Sequence, residues 1–180
     1  GKSTVCRVFA MLGAAVYDSD REARRLMNRD PQLIMRISSL FGPEAYRDGE
    51  LNRSYVAAAV FNDPALLAQL NGIVHPAVAA DFQQWSLQQH APYVIEESAI
   101  LFEAGAHRQM DATVAVVAPE EVRIRRTCLR DGTDETAVRA RIAHQMGDEE
   151  RVSRADHVLI ADESRLLIPQ IIELHNLFIR

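Results

Sequence analysis

The chain has 180 residues, of which 48% are hydrophobic and 25% charged, and its formal charge is −5 at pH 7. These values are typical of one globular domain and exclude a disordered, collagen-like or low-complexity chain. The negative charge argues against nucleic acid as a partner, and no apolar run approaches the ~20 residues of a membrane helix.

The first predicted element is a helix that begins at a candidate phosphate-binding loop. Gly1-Lys2-Ser3-Thr4 is the closing half of the pattern GxxxxGK[ST], in which backbone N–H groups wrap phosphates at a helix N-terminus. Apolar residues then recur at helical spacing up to Gly13, a predicted C-cap: Val5, Val8, Phe9 and Leu12. The full pattern also needs a strand and further glycines, which we expect upstream of residue 1. An ordinary capped helix start is the alternative.

Lys2 is also unusual in composition. Of the 20 Lys and Arg residues it is the single lysine. A compact ammonium fits where a planar guanidinium does not, although a GC-rich genome also favours arginine. Lys2 is therefore the first cation to consider at a phosphate site.

The next part of the chain is predicted to be one strand followed by helices. Residues 14–17 form a short buried strand that Asp18-Ser19-Asp20 closes. Helices are predicted over 20–28, 30–42, 52–61, 64–73 and 76–89, with a turn at Arg47-Asp48-Gly49. Pro76 is placed at the first position of its helix, with His75 as the N-cap. Residues 24–90 therefore predict a helical subdomain.

Strands return in the second half of the chain. They are predicted over 93–95, 113–117 and 157–160, with a short helix over 100–107. One helix is predicted to begin at Pro119, and a last, amphipathic helix is predicted over 165–179. Arginine clearly outnumbers the acidic residues between Arg123 and Arg141.

Strands separated by helices predict an α/β fold: a P-loop NTPase-type parallel sheet with helices on both faces, an inserted helical substrate-binding region and an Arg-rich lid. Ligands of such sheets bind beyond the carboxyl ends of the strands. Asp18, Asp20 and Glu97 follow predicted strands, so we expect their side chains to point into the phosphate crevice.

These residues match the needs of phosphoryl transfer, with alternatives for each. Lys2 supplies an ammonium for the phosphates and Ser3 a hydroxyl for Mg²⁺. An acid of Asp18-Ser19-Asp20 can accept a hydroxyl proton, or it can simply cap a helix. The arginines at 123–141 can close over ATP, or most of them can form ion pairs on a solvated helix face. No zinc site is readable from the spacing.

Several segments, taken in order, together resemble one family. They are Gly1–Thr4, Val16–Asp20, Asp48–Arg53, Leu70–Pro76, Ile100–Glu103, Arg126-x-x-x-Arg130 and Arg141-x-x-x-Gln145. This series resembles dephospho-coenzyme A kinase, which phosphorylates the ribose 3′-hydroxyl of dephospho-CoA in the last step of coenzyme A synthesis. The match covers essentially the whole chain.

The resemblance implies a phosphotransferase with an alcohol acceptor (EC 2.7.1.24) that uses ATP and Mg²⁺. It implies Asp20, as base for the 3′-hydroxyl, and Lys2 as catalytic residues, and Ser3 as the metal contact. The ATP-binding residues would be Gly1, Lys2, Ser3, Thr4, Arg126 and Arg130. Those binding dephospho-CoA would be Asp20, Arg53, His75, Glu103 and Arg141.

The resemblance also implies a division of the chain. The nucleotide-binding core would comprise residues 1–27, 91–118 and 155–180, the helical CoA-binding region 28–90, and the lid 119–154. We expect a cytoplasmic protein with reduced Cys6 and Cys128, and no nucleic-acid or membrane partner. No pattern in the sequence specifies an oligomeric state.

Some positions depart from the family pattern. Glu97 and Ala99 stand where the family usually has Asp and Pro, and Ala161 stands where an Asn is common near the adenine. Two alternatives stay open: another small-metabolite or nucleoside monophosphate P-loop kinase and, on account of Ala99 and Ala161, a nucleotide-binding module without catalysis.

Overall fold

The computed structural model describes residues 1–143, 145–162 and 164–180, apart from the side chain of Arg141. In this part the helices are α1 (Lys2–Met11), α2 (Ser19–Arg29), α3 (Pro31–Phe41), α4 (Arg53–Phe61), α5 (Pro64–Ser86), α6 (Glu120–Asp131), α7 (Glu135–Ala143), α8 (Asp148–Arg154) and α9 (Leu167–Phe178). The strands are β1 (Ala15–Asp18), β2 (Tyr46–Arg47), β3 (Glu50–Leu51), β4 (Val94–Glu97), β5 (Val114–Val117) and β6 (His157–Ile160). No helix in these ranges is both long and apolar enough to cross a bilayer.

Residues 1–16 and 91–180 form one compact unit, and residues 17–90 form a second. In the first unit, β5 and β6 pair in parallel, from Val114 opposite His157 to Val117 opposite Ile160. β4 pairs with β1, whose first two residues belong to this unit. Short β-branched strands that alternate with helices are typical of a buried parallel sheet. The predicted α/β class with parallel strands is confirmed.

Helices α1 and α9 bury their apolar faces in the core of the first unit. Val5 and Phe9 of α1 are buried, as their spacing predicts, together with Ala14, Leu159 and Ile171. α1 ends at Met11, and Gly13 follows with a φ of 100°. Glycine adopts this left-handed conformation at little cost, so the chain can turn sharply from α1 into β1.

At Ile160, the edge of β6 that faces away from β5 is covered by one side chain. Gln170 Oε1 accepts a hydrogen bond from Ile160 N (2.9 Å), and Gln170 Nε2 donates to the Ile160 carbonyl (3.1 Å). The carboxamide therefore makes both backbone hydrogen bonds that a neighbouring strand would offer Ile160.

The second unit is mainly helical. Asp30 caps α3 by accepting from the N–H groups of Gln32 and Leu33, with Pro31 at the first helical position as predicted. Its interior is formed by buried apolar side chains: Leu26, Leu33, Ile37, Phe41, Val56, Ile73, Val78 and Phe82. β2 and β3 form an antiparallel hairpin around Asp48 and Gly49, both at positive φ, where the sequence indicated only a turn.

The predicted helix break at Pro76 is wrong, because α5 runs unbroken from Pro64 to Ser86. His75 is consequently inside a helix and does not cap one. Proline removes the backbone hydrogen bond to the Gly72 carbonyl, but Gly72 is exposed, so water can bind that carbonyl. Buried residues on both sides of the proline stabilise the continuous helix: Ile73, Val74, Val78 and Phe82.

The short helix predicted over 100–107 is also wrong in its position and type. Residues 101–105 form turns, and a 3-10 helix covers Ala106–Gln109. Gly105 has a φ of 75°, a left-handed conformation that an α-helix cannot continue through.

Candidate active site

The N-terminus of α1 has the features of a phosphate site. Gly1 is the N-cap, so no side chain bonds the N–H groups from that position. A Cβ at Gly1 would lie 3.1 Å from Val116 Cγ1 and 3.3 Å from Ala161 Cβ, closer than side chains ordinarily approach. Lys2, Ser3 and Thr4 follow in the exposed first turn. A first helical turn without a side-chain cap and the positive end of the helix dipole favour an anion here.

Ser3 and Glu97 meet at this helix start. The Ser3 hydroxyl donates to Glu97 Oε1 over 2.7 Å, and Glu97 is the last residue of β4. Hydroxyl and carboxylate oxygens are hard ligands of the kind that Mg²⁺ prefers. In the described ranges no three His, Cys, Asp or Glu side chains gather as a metal site. The sequence predicts that Glu97 points into the crevice, but no pattern in it connects Glu97 with Ser3.

Three predicted cations lie in the same neighbourhood. The positive charges of Lys2, Arg126 and Arg130 and the negative charge of Glu97 all act at Gly1. Hydrogen bonds to Asp131 raise the pKa of Arg130, and the negative charge of Glu97 adds to this effect. The structure thus brings Lys2 into the neighbourhood of Arg126 and Arg130, which lie more than a hundred positions further along the chain.

Arg126 and Arg130 differ in their surroundings. The half-buried Arg126 donates from Nη1 to the carbonyl of Ala161 (2.9 Å). The exposed Arg130 is bidentate on its neighbour Asp131, at 2.7 and 3.0 Å. Arg126 is therefore fixed beside the residue that packs on Gly1, whereas Arg130 can exchange an exposed partner for a ligand.

Other arginines of the predicted lid are engaged in ion pairs, as the solvated-face interpretation held. Arg123 contacts Asp148 at 2.9 Å. Arg139 contacts Glu120, Glu121 and Glu135 at 2.7 to 2.8 Å. These pairs join α6 to α8 and α6 to α7, so they connect the three helices of the predicted lid.

Glu103 contacts the segment that precedes α8, within the range predicted to be a lid. Its Oε1 accepts a hydrogen bond from the backbone N of Met146 at 2.9 Å, just before α8. The predicted role of Glu103 in binding substrate stays a prediction. Arg141 belongs to α7, and its side chain is outside the part of the chain that the structure describes.

In the second unit, Asp18 ends β1 and Asp20 follows in the first turn of α2. Asp18 caps α2 by accepting from Arg21 N at 3.0 Å. Asp20 lies in the exposed first turn of the same helix. The capping alternative therefore applies to Asp18, while the predicted base is a different carboxylate two residues on.

The other two predicted substrate residues lie on α4 and α5. Arg53 is exposed at the first position of α4, directly after the N-cap Asn52. His75 is half-buried in α5, and burial lowers the pKa of its imidazole. His75 is thus mainly neutral near pH 7 and can exchange hydrogen bonds without carrying charge.

A cluster that the sequence did not indicate lies beside Asp18 and Asp20. Tyr17 donates to Asp81 Oδ2 (2.6 Å), and Arg25 donates to Asp81 Oδ1 (2.7 Å) and to Glu22 (2.5 Å). Tyr17 and Asp81 are 64 positions apart, so no local pattern connects them. The only local signal of this cluster in the sequence was the opposite charge of Glu22 and Arg25, which lie one helical turn apart.

The sequence comparisons with known proteins agree on one family. The family model CoaE, described as dephospho-CoA kinase, matches residues 1–166. The dephospho-CoA kinase of Bacteroides fragilis (strain YCH46) is 39% identical over 175 residues, which is 97% of this chain and 85% of that protein. That of Salinibacter ruber is 42% identical over 166 residues, 90% of this chain and 83% of that protein.

Two solved structures resemble this one. The crystal structure of TT1252 from Thermus thermophilus has a TM-score of 0.88 and 33% identity, and the match covers 100% of this chain and 92% of that one. Dephospho-CoA kinase from Campylobacter jejuni has a TM-score of 0.64 over 97% of this chain and 90% of its own. At 22% identity, the second comparison supports the fold alone.

Proposed function

This chain belongs to the dephospho-CoA kinase family, and we propose that it transfers the γ-phosphoryl group of ATP to the ribose 3′-hydroxyl of dephospho-CoA through the residues gathered at the start of α1. The products are coenzyme A and ADP, and the reaction is the last step of coenzyme A synthesis. The observation that carries the proposal is the Ser3–Glu97 contact at a glycine-lined helix N-terminus, in a chain whose relatives are dephospho-CoA kinases.

In such a reaction the protein acts mainly by positioning the reacting groups and by stabilising negative charge. The N–H groups of Gly1–Thr4 bind the phosphates, and the Lys2 ammonium neutralises the β- and γ-phosphates. Arg126 and Arg130, near Gly1, stabilise the charge that spreads over the transferring group. The hydrogen bond to the Ala161 carbonyl already orients Arg126, which supports a fixed contact with the phosphates. The side chain of Arg130 is exposed and can move with the ligand.

The oxygen pair of Ser3 and Glu97 fits a hard divalent cation, and these two residues would hold Mg²⁺. When bound, Mg²⁺ supplies positive charge beside the phosphates. Glu97 takes this role in place of the family's usual Asp.

Asp20 accepts the proton of the attacking hydroxyl. The 3′-oxygen forms a bond to the γ-phosphorus, the bond from that phosphorus to the bridging oxygen breaks, and ADP leaves with the electron pair. The hydroxyl proton passes to the Asp20 carboxylate. The exposed position of Asp20, separate from the capping Asp18, supports this assignment.

Four further residues complete the acceptor site of the proposal. Arg53 supplies an exposed positive charge for the phosphates of dephospho-CoA. His75 supplies a mainly neutral imidazole that can exchange hydrogen bonds with the acceptor. On the family resemblance we also assign Glu103 and Arg141 to the binding of the acceptor. We also assign the protein to the cytoplasm, where Cys6 and Cys128, which form no disulfide, stay reduced.

The test is ADP release by the full-length protein with Mg-ATP, with and without dephospho-CoA. We expect release to require dephospho-CoA and to yield a 3′-phosphorylated product. AMP, CMP and pantothenate serve as matched acceptors. Release that follows AMP or CMP would instead favour a nucleoside monophosphate kinase, and ATP binding without acceptor-dependent release would favour a module without catalysis.

A further inference from the structure

Asp81 of α5 joins three elements of the second unit. Its Oδ2 accepts from the hydroxyl of Tyr17 at 2.6 Å, and Tyr17 is in β1. Its Oδ1 accepts from Arg25 Nη2 at 2.7 Å, and Arg25 is in α2. Both carboxylate oxygens of Asp81 are therefore bonded to the segment 17–25.

The Tyr17 end of this network is rigid. The side chain is 2% exposed, and its ring packs against Phe82 and Trp85 with centroids 5.3 Å away in each case. Burial, and then the hydrogen bond to Asp81, raise the pKa of the Tyr17 hydroxyl well above its ordinary range. The phenol therefore stays protonated and remains a donor to Asp81 at any physiological pH.

The Arg25 end is held from two sides. Arg25 Nε donates to Glu22 Oε2 at 2.5 Å, and Glu22 is one turn earlier on α2. The guanidinium thus links two residues of α2 to Asp81, and the carboxylates orient it through charged hydrogen bonds.

Asp20 lies between these two attachments. Tyr17 is three residues before it, and Arg25 is five residues after it on the same helix. Asp18, between Tyr17 and Asp20, fixes the helix start by bonding Arg21 N. Since both sides of the turn are tied to one carboxylate, the direction of the first turn of α2 depends on Asp81.

We propose that Asp81, acting through Tyr17 and Arg25, is a positioning residue that holds the carboxylate of Asp20 in the place needed for proton transfer. This inference rests on the proposed role of Asp20. A shift of ~1 Å in a reacting group can cost about 100-fold in rate, so a small rotation of α2 is enough to matter.

The decisive variant is Tyr17→Phe, which removes one oxygen and keeps the aromatic packing. The network borders a cavity of about 320 Å³, so water can solvate the Asp81 oxygen that loses its donor. We expect kcat to fall about 10-fold while KM for ATP is unchanged. Asp81→Asn should give a similar loss, and the double variant little more than either single one, because both remove the same link.

Tyr46→Phe is the matched control. The Tyr46 hydroxyl donates to the carbonyl of Met27 at 2.6 Å, near the other end of α2, and burial raises the pKa of Tyr46 to about 12. This variant loses a comparable hydrogen bond to the same helix. We expect a comparable fall in Tm for the two phenylalanine variants and an unchanged kcat for Tyr46→Phe.

Equal kcat in the Tyr17→Phe and Tyr46→Phe proteins would overturn the inference. It would also be overturned if the fold-losses in kcat of Tyr17→Phe and Asp81→Asn multiplied in the double variant. Tyr17→Phe alone decides the question if Asp81→Asn does not fold. Asp20→Asn separates the two proposals. If that variant loses turnover and Tyr17→Phe does not, the positioning role fails and the proposed function stands; if Asp20→Asn keeps turnover, the base assignment itself fails.

Discussion

Ser3 and Glu97 are 94 positions apart in the chain, yet the hydroxyl of one donates to the carboxylate of the other at 2.7 Å. The contact joins the first turn of α1 to the end of β4, so the helix start that we propose binds phosphate and an acid suited to a metal ion are fixed together. Both residues lie in the first unit, and the packing of Val5 and Phe9 of α1 in its core keeps the first turn in place.

Removal of the Glu97 charge should weaken metal-dependent ATP use. In Glu97→Gln the amide oxygen can still accept from Ser3, so we expect the fold and Tm to be retained. kcat should fall and KM for Mg-ATP should rise, with a combined effect of about 10- to 100-fold. Glu96→Gln is the control, because neighbouring side chains of a strand point to opposite faces. Equal kinetics for the two variants would remove Glu97 from the metal site.

Asp20→Asn should lower kcat by about 10²- to 10⁴-fold, because the amide cannot accept the hydroxyl proton. KM for ATP should stay close to the wild-type value, since the role proposed for Asp20 is on the acceptor. Steady-state ADP release with dephospho-CoA measures both. Asp30→Asn is matched in chemistry, because Asp30 caps α3 and asparagine caps equally well. Unchanged turnover in Asp20→Asn would contradict the base assignment.

His75 should make folding stability depend on pH. Burial lowers the pKa of His75 below its ordinary 6.5, so the unfolded chain takes up a proton at a pH where the folded chain does not. Stability is therefore lost as the pH falls through this window. We expect the fall in Tm from about pH 7.5 to about pH 5.5 to be smaller in His75→Gln. The exposed His90, changed to Gln, should keep the wild-type dependence; an identical dependence in His75→Gln would show that another group titrates.

Arg139 should hold α7 against α6. It contacts Glu120 and Glu121 of α6 and Glu135 of α7, all on the exposed surface. We expect faster amide hydrogen exchange over 135–143 in Arg139→Gln, and a smaller difference from wild type at high salt, because salt screens exposed charges. Arg154→Gln is the control, since its partner Glu150 is on the same helix. If amide exchange over 135–143 is independent of salt in both the wild type and Arg139→Gln, the electrostatic link is excluded.

Elements with local start and stop signals could be predicted from the sequence to within one or two residues. Asp30-Pro31 marks the start of α3, and Gly42, at a φ of 83°, follows its end. β6 was predicted with its observed bounds because a short apolar run stands between polar residues. In each case the deciding interactions lie within a few positions along the chain.

The features that were missed depend on contacts between distant residues. Pro76 is a strong local break signal, but buried side chains before and after it keep α5 whole. The two-residue strands β2 and β3 are too short for a period to show, and Leu51 N is held by Asn28 Oδ1 at 2.7 Å. The same holds for the candidate site: residue types indicated Ser3 and Glu97 separately, and only the fold joins them.

Gln170 has a consequence for how molecules of this protein meet one another. An open sheet edge offers N–H and C=O groups on which a strand from a second molecule can align, the first step of many forms of aggregation. At Ile160 both groups are already bonded within the chain. A foreign strand would have to break two hydrogen bonds before it could extend the sheet at this residue, so one glutamine on α9 helps to keep neighbouring molecules apart.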